Sequence, residues 1–173
     1  MVDRYYDEAR VTLLRHLLSI LLLPVMVAGV LPRWILVNAA AIDTRWPRSV
    51  ATVPPRTLGV LLMLAGVGLV AWCITLFARV GKGTLAPWDP TSRLVAVGPY
   101  RYTRNPMITG VATTLVGEAL LTGSRLIGLW ALVFITMNHL YFILSEEPGL
   151  ERRFGESYAE YKRAVPRWIP RTR

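Results

Sequence analysis

GPYRYTRNPMITG, residues Gly98 to Gly110, is a dense polar and glycine-proline cassette set between two strongly apolar segments. Irregular backbone at the boundary of a membrane has to be buried in protein or line a cavity, so such a cassette marks a place where chemistry is done. Upstream, Gly81, Gly83, Pro87 and Pro90 join Gly98, Pro99 and Pro106 in excluding a long helix from residues 81 to 106. A structured loop is therefore expected, with proline fixing its shape and glycine admitting a ligand close to the backbone. Arg101 and Arg104 present forked donors suited to a carboxylate. The residues alone leave a second reading open, a turn at the interface with its arginines and with Trp88, Tyr100 and Tyr102 set among lipid headgroups.

The surroundings of the cassette decide the fold class. The chain has 173 residues, 53% of them hydrophobic, and a mean hydropathy of +0.40. That is one domain in size and too apolar for an ordinary soluble protein. A spanning helix needs about 20 mostly apolar residues. Val11 to Leu31, Thr57 to Val80, Met107 to Leu121 and Leu126 to Leu144 approach that length, and Trp34 to Ala41 is either an interfacial segment or a fifth, broken span. The expectation is an all-α, polytopic transmembrane bundle of four, possibly five, spans. Gly123 is the expected turn residue of a tight hairpin between the last two. Asp43 to Pro55 reads as the linker.

A formal charge of +9 in a soluble protein would point to nucleic acid. Here the basic residues gather at the ends of the spans. Four spans put fifteen of them, including Arg79, Arg101, Arg104, Lys162 and Arg167, on one side, and five on the other: Arg33, Arg45, Arg48, Arg56 and Arg125. The positive-inside rule then places both termini and the cassette in the cytoplasm, facing anionic lipid. A cleavable signal is not expected, since Asp3, Asp7 and Glu8 precede the first apolar run. Cys73, the single cysteine, reads as a small buried residue. Two distant histidines and one cysteine make no metal ligand set.

Beyond the fourth span, Glu146 and Glu147 sit where a helix leaves the membrane, and Pro148 suits the first turn of a new one. Leu150, Phe154, Tyr158, Tyr161 and Val165 recur at three- and four-residue steps and form one apolar, aromatic face. That face either caps the bundle, bringing Glu147 and Arg167 over the cassette, or lies on the membrane surface. Glu118 is costly in hydrocarbon, so it is expected to face the bundle or pair with Arg125 or Arg15. His139 reads as a packed or interfacial histidine.

Three segments in order, GTLAPWDPTSRLVAVGPYRYTRNPMITG (Gly83 to Gly110), GEALLTGS (Gly117 to Ser124) and EEPGLERRFGESYAEYKRAVPRWIP (Glu146 to Pro170), resemble the core of the isoprenylcysteine carboxyl methyltransferase-like and phospholipid methyltransferase family of integral-membrane methyltransferases. The resemblance covers roughly residues 75 to 170, and so divides the chain into an N-terminal transmembrane region, 1–74, and a cofactor-binding core, 75–173. It implies an S-adenosylmethionine-dependent methyltransferase with its cofactor at the cytoplasmic face. Arg104, Asn105 and Pro106 match the family's Arg-His/Asn-Pro motif, and Glu146 and Glu147 its paired acids. On this carry-over Tyr100, Arg104, Asn105, Pro106, Gly110 and Gly117 shape the cofactor pocket, and one paired acid binds the cofactor's ammonium or ribose. Tyr158, Tyr161 and Arg167 close the lid, while Arg104, Glu147 and Arg167 stand nearest the chemistry. Many members carry His at Asn105 and Tyr at Ile108, so this chain lacks a titratable group there.

Methyl transfer from a sulfonium needs alignment and exclusion of water rather than a covalent intermediate. The acceptor is expected to be lipidic or prenyl-like and to enter from the bilayer. A carboxylate, a thiol and a lipid amine all remain open, with a mild preference for an acceptor that arrives deprotonated. The alternatives are a non-catalytic membrane protein that keeps the fold, and a small transporter or channel subunit, which predicts charges along the spans.

Overall fold

The computed structural model describes residues 21–81 and 94–169, and every described element is helical. The first half of the expected first span and residues 82–93 of the loop from Gly81 onward lie outside the described residues. The chain enters through α1 (Leu21–Val30), wound in π fashion around Pro24, and continues directly into α2 (Leu31–Asn38). Trp34 thus belongs to an extension of the first helix rather than to a separate segment. Pro32 has no N–H to offer the carbonyl five residues back, and Trp130 Nε1 donates to that Val27 oxygen instead, at 3.1 Å.

α3 (Val53–Leu76) is prolonged by a 3₁₀ turn before it and a π turn, Phe77–Gly81, after it, making one apolar rod from Val50 to Val80. α4 (Pro106–Thr122) runs antiparallel to it. Small residues let the two backbones touch: a Cβ on Gly59 would stand 2.7 Å from Gly117 O, and one on Gly66 2.5 Å from Gly110 O. The division expected near residue 74 falls inside α3, whose length packs against α4. Gly123, with φ of 75°, turns the chain into α5 (Arg125–Tyr141), capped by Ser124 Oγ accepting from Ile127 N at 3.0 Å. Val70, Val111, Leu115, Ala131 and Phe134 form the core where α3, α4 and α5 meet.

At the end away from the cassette, a latch closes the hairpin. Asp43 accepts from Ser124 Oγ at 2.5 Å and from Leu126 N at 3.1 Å, Thr44 Oγ1 donates to Gly123 O, and Trp46 Nε1 to Leu120 O. Arg125 is held in this latch through Ile42 O at 3.5 Å, so it does not meet Glu118. Among the described residues Glu118 has no ion pair, and Arg15 lies outside them.

α5 does not stop at the paired acids. A π turn, Phe142–Glu146, carries it into α6 (Glu147–Phe154), so Arg125 to Phe154 is one rod. Gly155 then breaks the single C-terminal helix that the aromatic spacing predicts, and α7 (Glu156–Ala164) returns toward the bundle. Two rods, Val50–Val80 and Arg125–Phe154, are long and apolar enough to cross a membrane, while Pro24–Asn38 and Pro106–Thr122 are shorter apolar helices. The fold is thus all-helical across the described residues, with two such rods where four or five spans are expected.

Candidate functional site

The cassette is built on Gly98, whose φ of 58° an L side chain would resist. Pro99 then starts a 3₁₀ turn, Gly98–Arg101, that drives Tyr100 inward. Tyr100 is 7% exposed, stacks on Phe77 with ring centroids 5.6 Å apart, and packs beside Cys73 and Val95. Burial, and then the neighbouring Cys73, Tyr161 and Glu146, push its phenol well above the ordinary value. Pro106 is fully buried at the first turn of α4, where its missing N–H costs nothing.

The C-terminal segment wraps across this turn. Arg104 N donates to Pro166 O at 2.9 Å, Thr103 Oγ1 to Arg167 O at 2.8 Å, and Asn105 Nδ2 to Arg167 O at 3.4 Å. Tyr161 OH donates to Tyr100 O at 2.7 Å. Trp168 Nε1 donates to His139 Nδ1 at 3.0 Å and its ring rests on Phe142, 5.5 Å between centroids. Residues 165 to 168 are therefore a strap that ties the cassette to the end of α5.

Beneath the strap lies one carboxylate with three cations. Glu147 is 5% exposed. Arg167 Nε donates to its Oε1 at 2.6 Å, Arg104 Nη1 lies 3.0 Å from the same oxygen, and Lys162 Nζ is 3.3 Å from Oε2. Lys162 also reaches Glu151 at 2.7 Å. The hydrogen bond from Arg167 to Glu147 raises the pKa of that arginine further. The Arg104 contact is an ion pair without an N–H aimed along it. Consequently the Nε and Nη1 donors of Arg104, a side chain only 10% exposed, are buried without a well-aimed hydrogen bond among the described residues. A buried donor left unmade costs about 1–3 kcal/mol, which an incoming anion would recover.

Tyr158, 2% exposed, covers the cluster from α7 and leans against Tyr161. Its phenol is raised by burial first, with the charge of Glu147 adding to the effect and Arg104 opposing it. Glu146, next to Glu147 in the chain, makes no ion pair among the described residues.

The structure therefore brings Tyr100, Arg104, Asn105, Pro106, Glu147, Tyr158, Tyr161 and Arg167 together, with Glu146 at the edge. Gly110 and Gly117 are elsewhere: α3 occupies their open faces, where Gly66 O and Gly59 O stand. Lys162, Thr103 and Trp168 join the site without having been singled out by sequence. Lys162 sits on a charged helical stretch that reads like any solvated face. A proline and a tryptophan flanking Arg167 were the available hint of a strap. Among the described residues no group of three or more His, Cys, Asp and Glu side chains is placed to hold a metal ion.

Comparison with known proteins extends this picture. A family model described as phospholipid methyltransferase matches residues 55–157, more than half of the chain and the part that carries nearly all of α3 and then α4 to α6. An uncharacterized protein of Haemophilus influenzae is 33% identical over 63 residues, which is 36% of this chain and the whole of that protein. No solved structure matches. A cassette and a paired-acid segment folded against one another, inside a stretch that this model spans, leave one conclusion about kinship: the chain belongs to the phospholipid methyltransferase family.

Proposed function

We propose that this methyltransferase-family protein uses S-adenosylmethionine to methylate a lipidic acceptor that reaches the site from the bilayer, with the site and both termini on the cytoplasmic side. The observation that carries the reading is Arg104, a buried guanidinium that pairs with Glu147 by charge while its Nε and Nη1 donors have no hydrogen-bond partner among the described residues. Those donors fit the carboxylate of an amino-acid-bearing methyl donor.

The residues divide the work. Glu147 fixes Arg104, Arg167 and Lys162 in place, so its role is to hold cations rather than to accept a proton. Tyr158 and Tyr161 cover the cluster and exclude water, and burial keeps both phenols protonated and able to donate. The strap keeps the cassette closed over α5 through Pro166 O and Arg167 O. When bound, S-adenosylmethionine supplies an electrophilic methyl group on a sulfonium. What this chain adds is alignment and a dry enclosure.

The test is calorimetric binding of S-adenosylmethionine to the full chain in lipid nanodiscs. Saturable binding that weakens about 10- to 100-fold in Arg104→Ala is expected, since a hydrogen bond to a charged group contributes roughly 1.5–3 kcal/mol. Arg167 and Lys162 still neutralise Glu147 in that variant, so its fold is retained. Absence of binding at millimolar ligand would overturn the proposal.

A further inference from the structure

The end of the bundle away from the cassette carries charge that the protein itself does not balance. Five arginines gather there: Arg33 on α2, Arg45 and Arg48 on the segment that follows, Arg56 in the first turn of α3, and Arg125 at the start of α5. Among the described residues none of the five forms an ion pair. The acids at this end are Asp43 and Glu118. Asp43 is occupied by the Ser124 hydroxyl and by the Leu126 and Thr44 amides, and Arg45 reaches it only as a through-space charge. Glu118 meets no cation among the described residues. The cassette end is the opposite case, because Arg104, Lys162, Arg163 and Arg167 are each paired with a glutamate.

Three of the unpaired guanidiniums are nevertheless held in place. Arg45 Nη2 donates to Leu36 O at 2.8 Å, Arg56 Nη2 to Trp46 O and Pro47 O at 3.4 Å each, and Arg125 Nη2 to Ile42 O at 3.5 Å. Arg56 Nε is enclosed and has no hydrogen-bond partner among the described residues. A carbonyl orients a guanidinium without cancelling its charge, so the cluster is ordered and still cationic. The backbone beneath it is fixed too. Trp46 N donates to Thr122 O at 3.2 Å and Trp46 Nε1 to Leu120 O, next to the Asp43 latch. The stretch from Asp43 to Arg56 is therefore an anchored platform rather than a slack connection.

The side chains between the arginines select the partner. Val50 is 86% exposed and Ile42 72%, and Trp34 and Val53 are likewise uncovered. Apolar groups interleaved with guanidiniums suit neither open water nor hydrocarbon. They suit the headgroup layer, where the apolar groups meet the tops of the acyl chains and the guanidiniums meet phosphate. The planar fork of arginine matches two phosphate oxygens, and several unpaired cations together favour a lipid of net negative charge.

We propose that this end is a phosphate site for an anionic glycerophospholipid of the leaflet opposite the cassette, built by Arg45, Arg48 and Arg56 around Trp46. Arg33 and Arg125 add to its positive potential. A lipid seated there fastens the hairpin end of the bundle to the membrane surface. The site shares no residue with the cassette, the paired acids or the strap, so it stands or falls independently of the methyltransferase reading.

The experiment follows binding of the first phosphatidylglycerol to the full chain in neutral detergent by native mass spectrometry, against phosphatidylcholine with the same acyl chains. Wild type should prefer phosphatidylglycerol. The triple variant Arg45→Gln, Arg48→Gln, Arg56→Gln should lose about 100-fold of that affinity, at about fivefold for each arginine near an anionic headgroup. A control triple on the cassette side, Arg79→Gln, Arg152→Gln, Arg153→Gln, should keep most of it. Equal losses in the two triples would mean attraction by bulk charge rather than a site, and would overturn the proposal. So would wild-type affinity in the first triple. Inorganic phosphate should leave the bound lipid in place, and displacement by phosphate as readily as by phosphatidylglycerol would overturn the lipid assignment. If the first triple does not fold, Arg48→Gln alone decides. Arg48 is exposed and makes no hydrogen bond among the described residues, so the fold does not depend on it. Its loss should weaken binding about fivefold, and unchanged affinity would overturn the proposal equally.

Discussion

Arg167 Nε donates to Glu147 Oε1 at 2.6 Å, joining the last described turn of the chain to the end of the Arg125–Phe154 rod. Arg104 meets the same oxygen from the cassette. One carboxylate therefore ties three segments that are far apart in sequence, and the site and the tertiary structure at this end share a residue.

That sharing sets the first prediction. Glu147→Gln removes the charge and leaves Arg104 and Arg167 facing one another in a poorly solvated place. Breaking a buried pair costs about 3–5 kcal/mol. Thermal unfolding in detergent, followed by tryptophan fluorescence, should show a large loss for Glu147→Gln. Lys162→Met should show about 1 kcal/mol or less, since that ammonium is 36% exposed and screened by water. Equal losses in both variants would mean that Glu147 is not the hub.

The α3–α4 contact gives a contrast between two glycines of one helix. A Cβ at Gly59 would stand 2.6 Å from Leu121 N and 2.7 Å from Gly117 O, both backbone atoms that cannot step aside. At Gly68 nothing lies within 4 Å. Gly59→Ala should therefore destabilise by about 1–3 kcal/mol, the usual range for overpacking. Gly68→Ala should stabilise by about 0.5 kcal/mol through lost freedom of the unfolded chain. Denaturation in mild detergent separates the two, and a shift of the same sign in both would count against the close helix contact.

Asp43 supplies the pH dependence. Partial burial pushes its carboxyl up, but the Ser124 hydroxyl, the Leu126 and Thr44 amides and the Arg45 charge outweigh that and hold it below its ordinary value of 3.8. A depressed folded-state value means that the latch contributes stability above the unfolded value and loses it as pH falls through the lower folded one. Asp43→Asn should be less stable than wild type at pH 7, and the difference should close on acidification below about pH 4. Ser124→Ala, which also removes the cap of α5, should cost about 1 kcal/mol. A gap between wild type and Asp43→Asn that persists to pH 2 would contradict this account.

The cassette was legible because glycine and proline act through the backbone. Gly98, Pro99 and Pro106 dictate a tight turn and a helix start wherever they occur, and the structure uses them so. Gly123 announced the hairpin for the same reason. The break at Gly155 was hidden, because Leu150, Phe154, Tyr158 and Tyr161 keep helical spacing across it and a lone glycine is tolerated within a helix. Gly110 and Gly117 were misplaced on similar grounds. Sequence shows that a small residue is needed, and only packing shows whether a ligand or another helix takes the space. The capping alternative already brought Glu147 and Arg167 over the cassette, whereas the approach of Lys162 to the same carboxylate is encoded by no local pattern.

Trp168 offers the last prediction, because an indole N–H can only donate. Its bond to His139 Nδ1 requires a lone pair there, so a neutral His139 carries its proton on Nε2. Trp168→Phe keeps an aromatic ring against Phe142 but strands that lone pair, whereas Trp168→Ala removes both of the tryptophan's attachments to α5 and the π turn that follows it. Hydrogen exchange should report the difference at the Arg104 amide, which is held by Pro166 O at 2.9 Å. Protection there should fall about fivefold in Trp168→Phe, for a bond of about 1 kcal/mol, and further in Trp168→Ala. The amides in the middle of α3 should keep wild-type protection in both variants. Unchanged protection at Arg104 in Trp168→Ala would show that Arg167 and Glu147 hold the strap without help from the tryptophan.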